Sequence, residues 1–203
     1  MPELPNTLVV VALRAESAGV FEAAGIPVLY CGVGKVNAAI SLARELCRYA
    51  LQGQAMPLVL NFGSAGSRHH PTGTLVECHE FVQRDMDVRG LGFALGVTPY
   101  DDAPSCLRFG PVFKHLPPAV CGSGDSFATA ATDMDCAVVD MEAYALAKAC
   151  WYAKAPFACA KYVSDGADHA AADDWQQNQH KAADEFLRLY MAVVRSRSGA
   201  GLI

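Results

Sequence analysis

Long hydrophobic runs are absent from this 203-residue chain. A helix that crosses a bilayer needs roughly 20 consecutive apolar residues, and no stretch approaches that. The N-terminus, MPELPNTLVVVALRAES, places an acid and two prolines before a short apolar run, which fits neither a signal peptide nor a spanning segment. Basic blocks are missing too: the 16 Lys and Arg are scattered and the net charge is −5, which removes the broad attraction a polynucleotide-binding protein relies on. Cysteine is plentiful, at eight, but the positions (31, 47, 78, 106, 121, 136, 150 and 159) lack the close pairs of a zinc site. Free thiols in a cytoplasmic protein are the simpler reading.

Familiar catalytic signatures are equally scarce. CGVGKVN carries Asn37 where the dinucleotide fingerprint requires Gly, and it lacks the leading Gly of a P-loop. GSAGS is not the G-x-S-x-G of a hydrolase elbow, so a serine nucleophile is not indicated. The histidines at 69, 70, 79, 115, 169 and 180 never adopt the H-E-x-x-H spacing, and no metal is expected. No cofactor motif, internal repeat or domain boundary emerges.

What is present is a chain that is 52% hydrophobic with both signs of charge, the make-up of one compact domain over residues 1–203. Short Val-rich runs at 7–13, 26–32, 57–63, 74–82, 118–124, 136–141 and 157–165 read as strands covered on both faces. Between them, Val36, Ala39, Ile40, Ala43, Leu46, Cys47 and Ala50 repeat at helical spacing. Ala183, Phe186, Leu187, Tyr190, Val193 and Val194 do the same near the C-terminus. The alternation predicts an α/β layered domain, with residues 83–117, rich in Gly and Pro, as irregular chain.

Ligands in such folds gather at the carboxyl ends of strands. The segments there are Glu16, CGVGK, GSAGS, GSGDSF, DMEA and SDGAD. Carboxylates are costly to bury without partners, so Asp140 and Glu142 in VVDMEA, between a buried strand and an Ala-rich helix, call for a reason. Asp140 reads as a cap for a helix beginning at Met141, with Glu142 first in that helix. Acids at strand ends without metal, thiol or hydroxyl chemistry suit glycosidic cleavage, in which one acid protonates the leaving group and another group activates water.

Taken in order, ALRAES, CGVGKVNAA, LNFGSAG, GSGDSF, VVDMEAYALAKAC and KYVSDGAD resemble the motifs of the 5'-methylthioadenosine/S-adenosylhomocysteine nucleosidases, within the nucleoside phosphorylase superfamily. The resemblance implies a single-domain three-layer α/β/α sandwich with a central mixed sheet, acting as a purine nucleosidase. By matching position, it implies that Glu16 activates the attacking water, that Ser64 helps place it and that Asp165 hands a proton to N7 of the departing adenine. Ser164 supports Asp165. Glu142 would grip the ribose hydroxyls and Met141 pack on the sugar; Phe127 would stack on the base, flanked by Ser126 and Ala128. Trp175 and Val88, with Leu13 and Val33, would line the 5' pocket. The plainer readings stay open: Glu16 and Glu142 as helix-start acids, Asp165 as a turn cap, Trp175 as a core staple.

Two departures stand out. Little chain remains between Glu16 and GVGK, where the family usually has a hairpin, and Lys161 replaces an Arg four residues before the acid. A phosphorylase, a nucleosidase for a futalosine-like or lipid-linked nucleoside, and a nucleoside-binding protein without turnover remain alternatives. The implied partners are a small-molecule nucleoside and a second copy of the chain in a homodimer, with no nucleic acid and no membrane.

Overall fold

The structure is a computed structural model that describes residues 6–199. In chain order it runs β1 (Thr7–Val11), α1 (Arg14–Ser17), α2 (Val20–Ala23), β2 (Val28–Tyr30), α3 (Lys35–Leu51), β3 (Leu58–Gly66), β4 (Leu75–Gln83), β5 (Cys106–Arg108), β6 (Pro118–Ser123), β7 (Val138–Asp140), α4 (Ala143–Ala153), β8 (Phe157–Asp165), α5 (Ala171–Asn178) and α6 (Ala183–Gly199). A single 3-10 turn, Arg89–Leu91, follows β4.

The Val-rich runs pair as expected into one mixed sheet. β1 lies parallel between β2 and β3, and β3 continues parallel to β8. β8 runs antiparallel to β4, β4 parallel to β6, and β6 parallel to β7. The layer then curls: Gly66 of β3 pairs antiparallel with Val139 of β7, so β3, β8, β4, β6 and β7 close into a ring.

Alternation along β1 sorts the two faces. Leu8 and Val10 pack with Ala38, Leu42 and Leu46 of α3 and with buried residues of α4. Val9 and Val11 pack with Phe21 of α2 and with Phe186, Leu189, Tyr190 and Val193 of α6. Helices therefore cover the central sheet on both sides. On the α6 side the rings of Phe21 and Phe186 stack against Phe62. Full burial of each such ring is worth about 1.5–3 kcal/mol. Among the described residues no helix is long and apolar enough to cross a membrane.

Three expectations are corrected. Residues 83–117 are not wholly irregular, because β5 pairs with β4 through Glu80–Arg108, Phe81–Leu107 and Val82–Cys106. The stripe that repeats at helical spacing, expected to pack on the sheet, is turned in α3: Leu46 is buried, but Val36 and Ile40 are 66% and 54% exposed, and Ala38 and Leu42 take the core positions. Apolar residues wrap more than one face of α3, so periodicity alone selected the wrong one. The helix after VVDMEA starts at Ala143 rather than Met141, with Glu142 as its N-cap residue.

Candidate active site

The carboxyl ends of β1, β3, β7 and β8 converge on one cavity of about 350 Å³. Its walls include Leu13, Glu16, Val33, Ser64, Ser126, Phe127, Ala128, Met141, Glu142, Asp165 and Trp175. Ser164 lies behind the wall, and Val88, which precedes the 3-10 turn, is not among the lining residues. Val88 is thus the one expected site residue that the fold leaves apart from the others. A hydrophobic residue in an irregular stretch carries no signal of which way the chain will turn.

Glu16 sits in the four-residue α1, which ends where Ala18 takes the left-handed conformation at φ 46°. Glu16 is 4% exposed. Oε1 accepts from the Ser64 amide at 2.8 Å and the Ser64 hydroxyl at 2.7 Å, while Oε2 accepts from the Leu13 amide at 3.2 Å. The Trp175 indole N–H in turn donates to Ser64 Oγ at 2.9 Å. The chain indole, hydroxyl, carboxylate fixes the direction of the hydroxyl proton and leaves Glu16 as acceptor.

Asp165 ends β8, and a register shift between Ala65 and Gly66 brings it opposite Gly66. Only glycine fits there, because a Cβ at 66 would come 2.6 Å from Asp165 Oδ1. Ser164 Oγ donates to Oδ2 at 2.8 Å and the Ala167 amide to Oδ1 at 3.0 Å. Burial pushes the carboxyl upward, with the charges of Asp174 and Asp168 adding to it; the two hydrogen bonds oppose the shift without cancelling it. An acid so placed holds its proton more readily than an ordinary aspartate.

Glu142 Oε1 accepts from the Gly34 amide at 2.8 Å, which ties it to the start of α3. Burial, and then the neighbouring Asp140, raise its carboxyl to about 7. Asp140 itself has a structural set of partners: the Ser123 hydroxyl, the Ala143 amide at 2.9 Å and the Lys161 ammonium at 2.8 Å. Its bond to the Ala143 amide is a capping contact of the kind expected, made from two residues before the N-cap. Burial pushes the Asp140 carboxyl up, but the charge of Lys161 together with the hydrogen bonds from Lys161, Ser123 and Ala143 outweighs it and holds that carboxyl low.

Phe127 stands at the cavity wall, 43% exposed, its ring edge-on to Trp175 at 6.5 Å. The loop that carries it is pinned from two sides. The Lys35 amide donates to Asp125 Oδ1 at 2.7 Å and the Asp125 amide to Asp85 Oδ2 at 2.9 Å. From the other side the Arg84 guanidinium donates to the Ser126 carbonyl and, at 3.2 Å, to the Ser126 hydroxyl. Arg84 also lines the cavity, as do Ala172 and Gln176. None of the three was expected from the sequence, yet Arg84 directly follows β4, so the strand-end rule that found the acids reaches it too.

The ionisable groups of the wall are the acids Glu16, Asp140, Glu142 and Asp165 against Arg84 as the one base. Arg14 pairs with Glu22 at 3.1 Å with its side chain 78% exposed, and Arg68 reaches the Ala167 carbonyl at 3.5 Å. Neither lines the cavity. Such a surface repels a phosphate dianion and suits a neutral attacking water.

Comparison with known proteins gives a consistent picture. A model of the phosphorylase superfamily matches residues 123–195. A 5'-methylthioadenosine/S-adenosylhomocysteine nucleosidase of Anoxybacillus flavithermus is 30% identical over 191 residues, covering 82% of this chain and 78% of the relative. Among solved structures, the inhibitor-bound nucleosidase of that name from Helicobacter pylori superposes with a TM-score of 0.81 at 20% identity, covering 95% of this chain and 99% of the other. A futalosine hydrolase mutant from the same organism reaches 0.80, also at 20% identity, covering 93% and 99%. At those identities the two structures speak for the fold; the longer sequence match carries the kinship, and by it the chain belongs to the 5'-methylthioadenosine/S-adenosylhomocysteine nucleosidase family.

Proposed function

We propose that the chain acts as a single-domain N-glycosidic hydrolase that releases adenine from a nucleoside such as 5'-methylthioadenosine or S-adenosylhomocysteine. The observation that carries this reading is the convergence of Glu16, Glu142 and Asp165 on one cavity, each held by its own hydrogen bonds. Asp165, whose carboxyl burial pushes upward, protonates N7 of the purine as the glycosidic bond breaks, and the bonding electrons leave with the base. Positive charge then grows on the ribose, where Glu142 bonds the hydroxyls and Met141 packs on the ring; the negative carboxylate favours that state over the substrate. Glu16 takes a proton from a water placed with the help of Ser64, and the hydroxyl adds to the sugar carbon. Ser164 orients Asp165. Phe127, Ser126 and Ala128 embrace the base, and Trp175 closes the 5' side.

In this reading the enzyme is a cytoplasmic homodimer. The exposed apolar side of α3 supports a second copy as partner: Val36, Ala39, Ala43 and Cys47 border a groove of about 880 Å³ that Tyr144 and Tyr152 of α4 complete. The test of the function is incubation with methylthioadenosine, S-adenosylhomocysteine, adenosine, inosine and futalosine, with and without phosphate, following free base by chromatography. Release of adenine at a rate indifferent to phosphate is expected. A strict phosphate requirement, with ribose 1-phosphate as product, would refute hydrolysis.

A further inference from the structure

Lys161 is the one lysine or arginine that is buried among the described residues. Its side chain is 3% exposed and that of its partner Asp140 is 1% exposed. An ion pair taken so far from water is rarely repaid in stability alone, because desolvation of both charges offsets their attraction. The pair also lies beside the candidate catalytic groups. Asp140 lines the cavity, whereas Lys161 does not, so the ammonium approaches the site from behind.

Its position follows from the sheet. Lys161 is the register partner of Gly63 in β3, and a Cβ on residue 63 would lie 3.3 Å from Lys161 Nζ and 3.2 Å from Glu16 Oε1. The missing side chain lets the ammonium and the Glu16 carboxylate border the same small space. Around Nζ stand Asp140 and Glu142 from the end of β7, Glu16 from α1, Cys31 after β2, Cys121 of β6 and Cys159 of β8. Three carboxyl groups thus surround one cation. Without it, each acid would raise the cost of ionising the others.

We propose that Lys161 is a positioning residue for the hydrolysis: fixed by Asp140, its ammonium is the shared counter-ion that lowers the cost of ionising Glu142 in a pocket it shares with Asp140 and Glu16, without touching the substrate itself. The inference rests on the roles given above to Glu16 and Glu142. It separates the two members of VVDMEA by task, Asp140 anchoring the cation and Glu142 using its field.

The test is the titration of Glu142 in full-length protein labelled with carboxyl-13C glutamate, followed by NMR without substrate, beside the pH profile of kcat/KM for adenine release. In Lys161→Met the Glu142 midpoint is expected to rise by about one to two pH units, with the acid limb of kcat/KM moving in the same direction. Lys161→Arg keeps the charge and should leave both near wild type. In Lys161→Met/Asp140→Asn one positive and one negative charge are removed, and the midpoint returns toward the wild-type value. Should the single Met variant not fold, Asp140→Asn against the double variant makes the same comparison, with the double at least one unit higher. An unmoved Glu142 midpoint when the ammonium alone is removed overturns the proposal. Because that titration needs no turnover, a protein that shifts as described but releases no base would count against the hydrolase reading alone.

Discussion

Replacing Glu142 by Gln should make the unliganded protein more stable while disabling it. In the folded chain burial and Asp140 raise the Glu142 carboxyl from an ordinary 4.5 to about 7. The folded state therefore holds a proton that the unfolded state has already released, and stability falls as pH rises through that window. At pH values above both, the difference is equivalent to about 3 kcal/mol. Gln removes this penalty but weakens the bond from the Gly34 amide, now to a neutral acceptor, by about 1 kcal/mol. The net gain expected at pH 8 is about 2 kcal/mol, or roughly 4–8 °C in Tm for a chain of this size. At pH 5 the penalty on the wild type is under about 1 kcal/mol and the two proteins should melt together. Thermal unfolding by circular dichroism from pH 5 to 8 reads this directly, and kcat/KM should fall at least ~100-fold for want of charge beneath the ribose. A Tm difference that does not depend on pH, or a Gln variant less stable than wild type at pH 8, would sink the reasoning.

Two further outcomes follow from the same geometry. Asp165→Asn keeps an acceptor for the Ala167 amide and turns an NH2 toward the Ser164 hydroxyl, but it has no acid proton to give, so kcat for adenine release should drop by about 10³-fold or more while nucleoside binding, read by calorimetry, persists. Trp175→Phe preserves the ring beside Phe127 but removes the donor to Ser64 Oγ; a loss of about 5- to 30-fold in kcat/KM is expected, against no change if the indole serves only as apolar wall.

Much of this molecule was legible from sequence because buried strands announce themselves as runs of Val and Leu. β1, β3, β4 and β8 fall where those runs lie, and α6 buries Phe186, Tyr190 and Val193 as its spacing requires. The failures have physical causes. β5 is three residues long and holds its place by pairing with β4, a contact that no local pattern encodes. α1 and α2, of four residues each, are too short for any period to show. In α3, apolar residues serve two surfaces at once, so the strongest stripe pointed outward. At the site, the acids stood out because charge is rare at the ends of buried strands. Their partners did not: the Trp175 bond to Ser64 spans 111 positions and the bond from Gly34 to Glu142 spans 108, so only the fold creates them. Lys161, legible only as a departure from a pattern, gained meaning once β8 set it beside Asp140.

The closure of the sheet at Gly66 has a geometric corollary. That residue faces Val139 on one side and Asp165 on the other, so the proposed proton donor and the segment proposed to hold the sugar are joined at a seam that is one register pair wide on the β7 side. The rest of the ring is stitched by longer ladders, such as the eight-residue register between β3 and β8. The shortest ladder thus coincides with the line where the glycosidic bond would lie in the proposed complex. In the proposed reaction the sugar and the base would therefore sit on either bank of the shortest ladder in the ring.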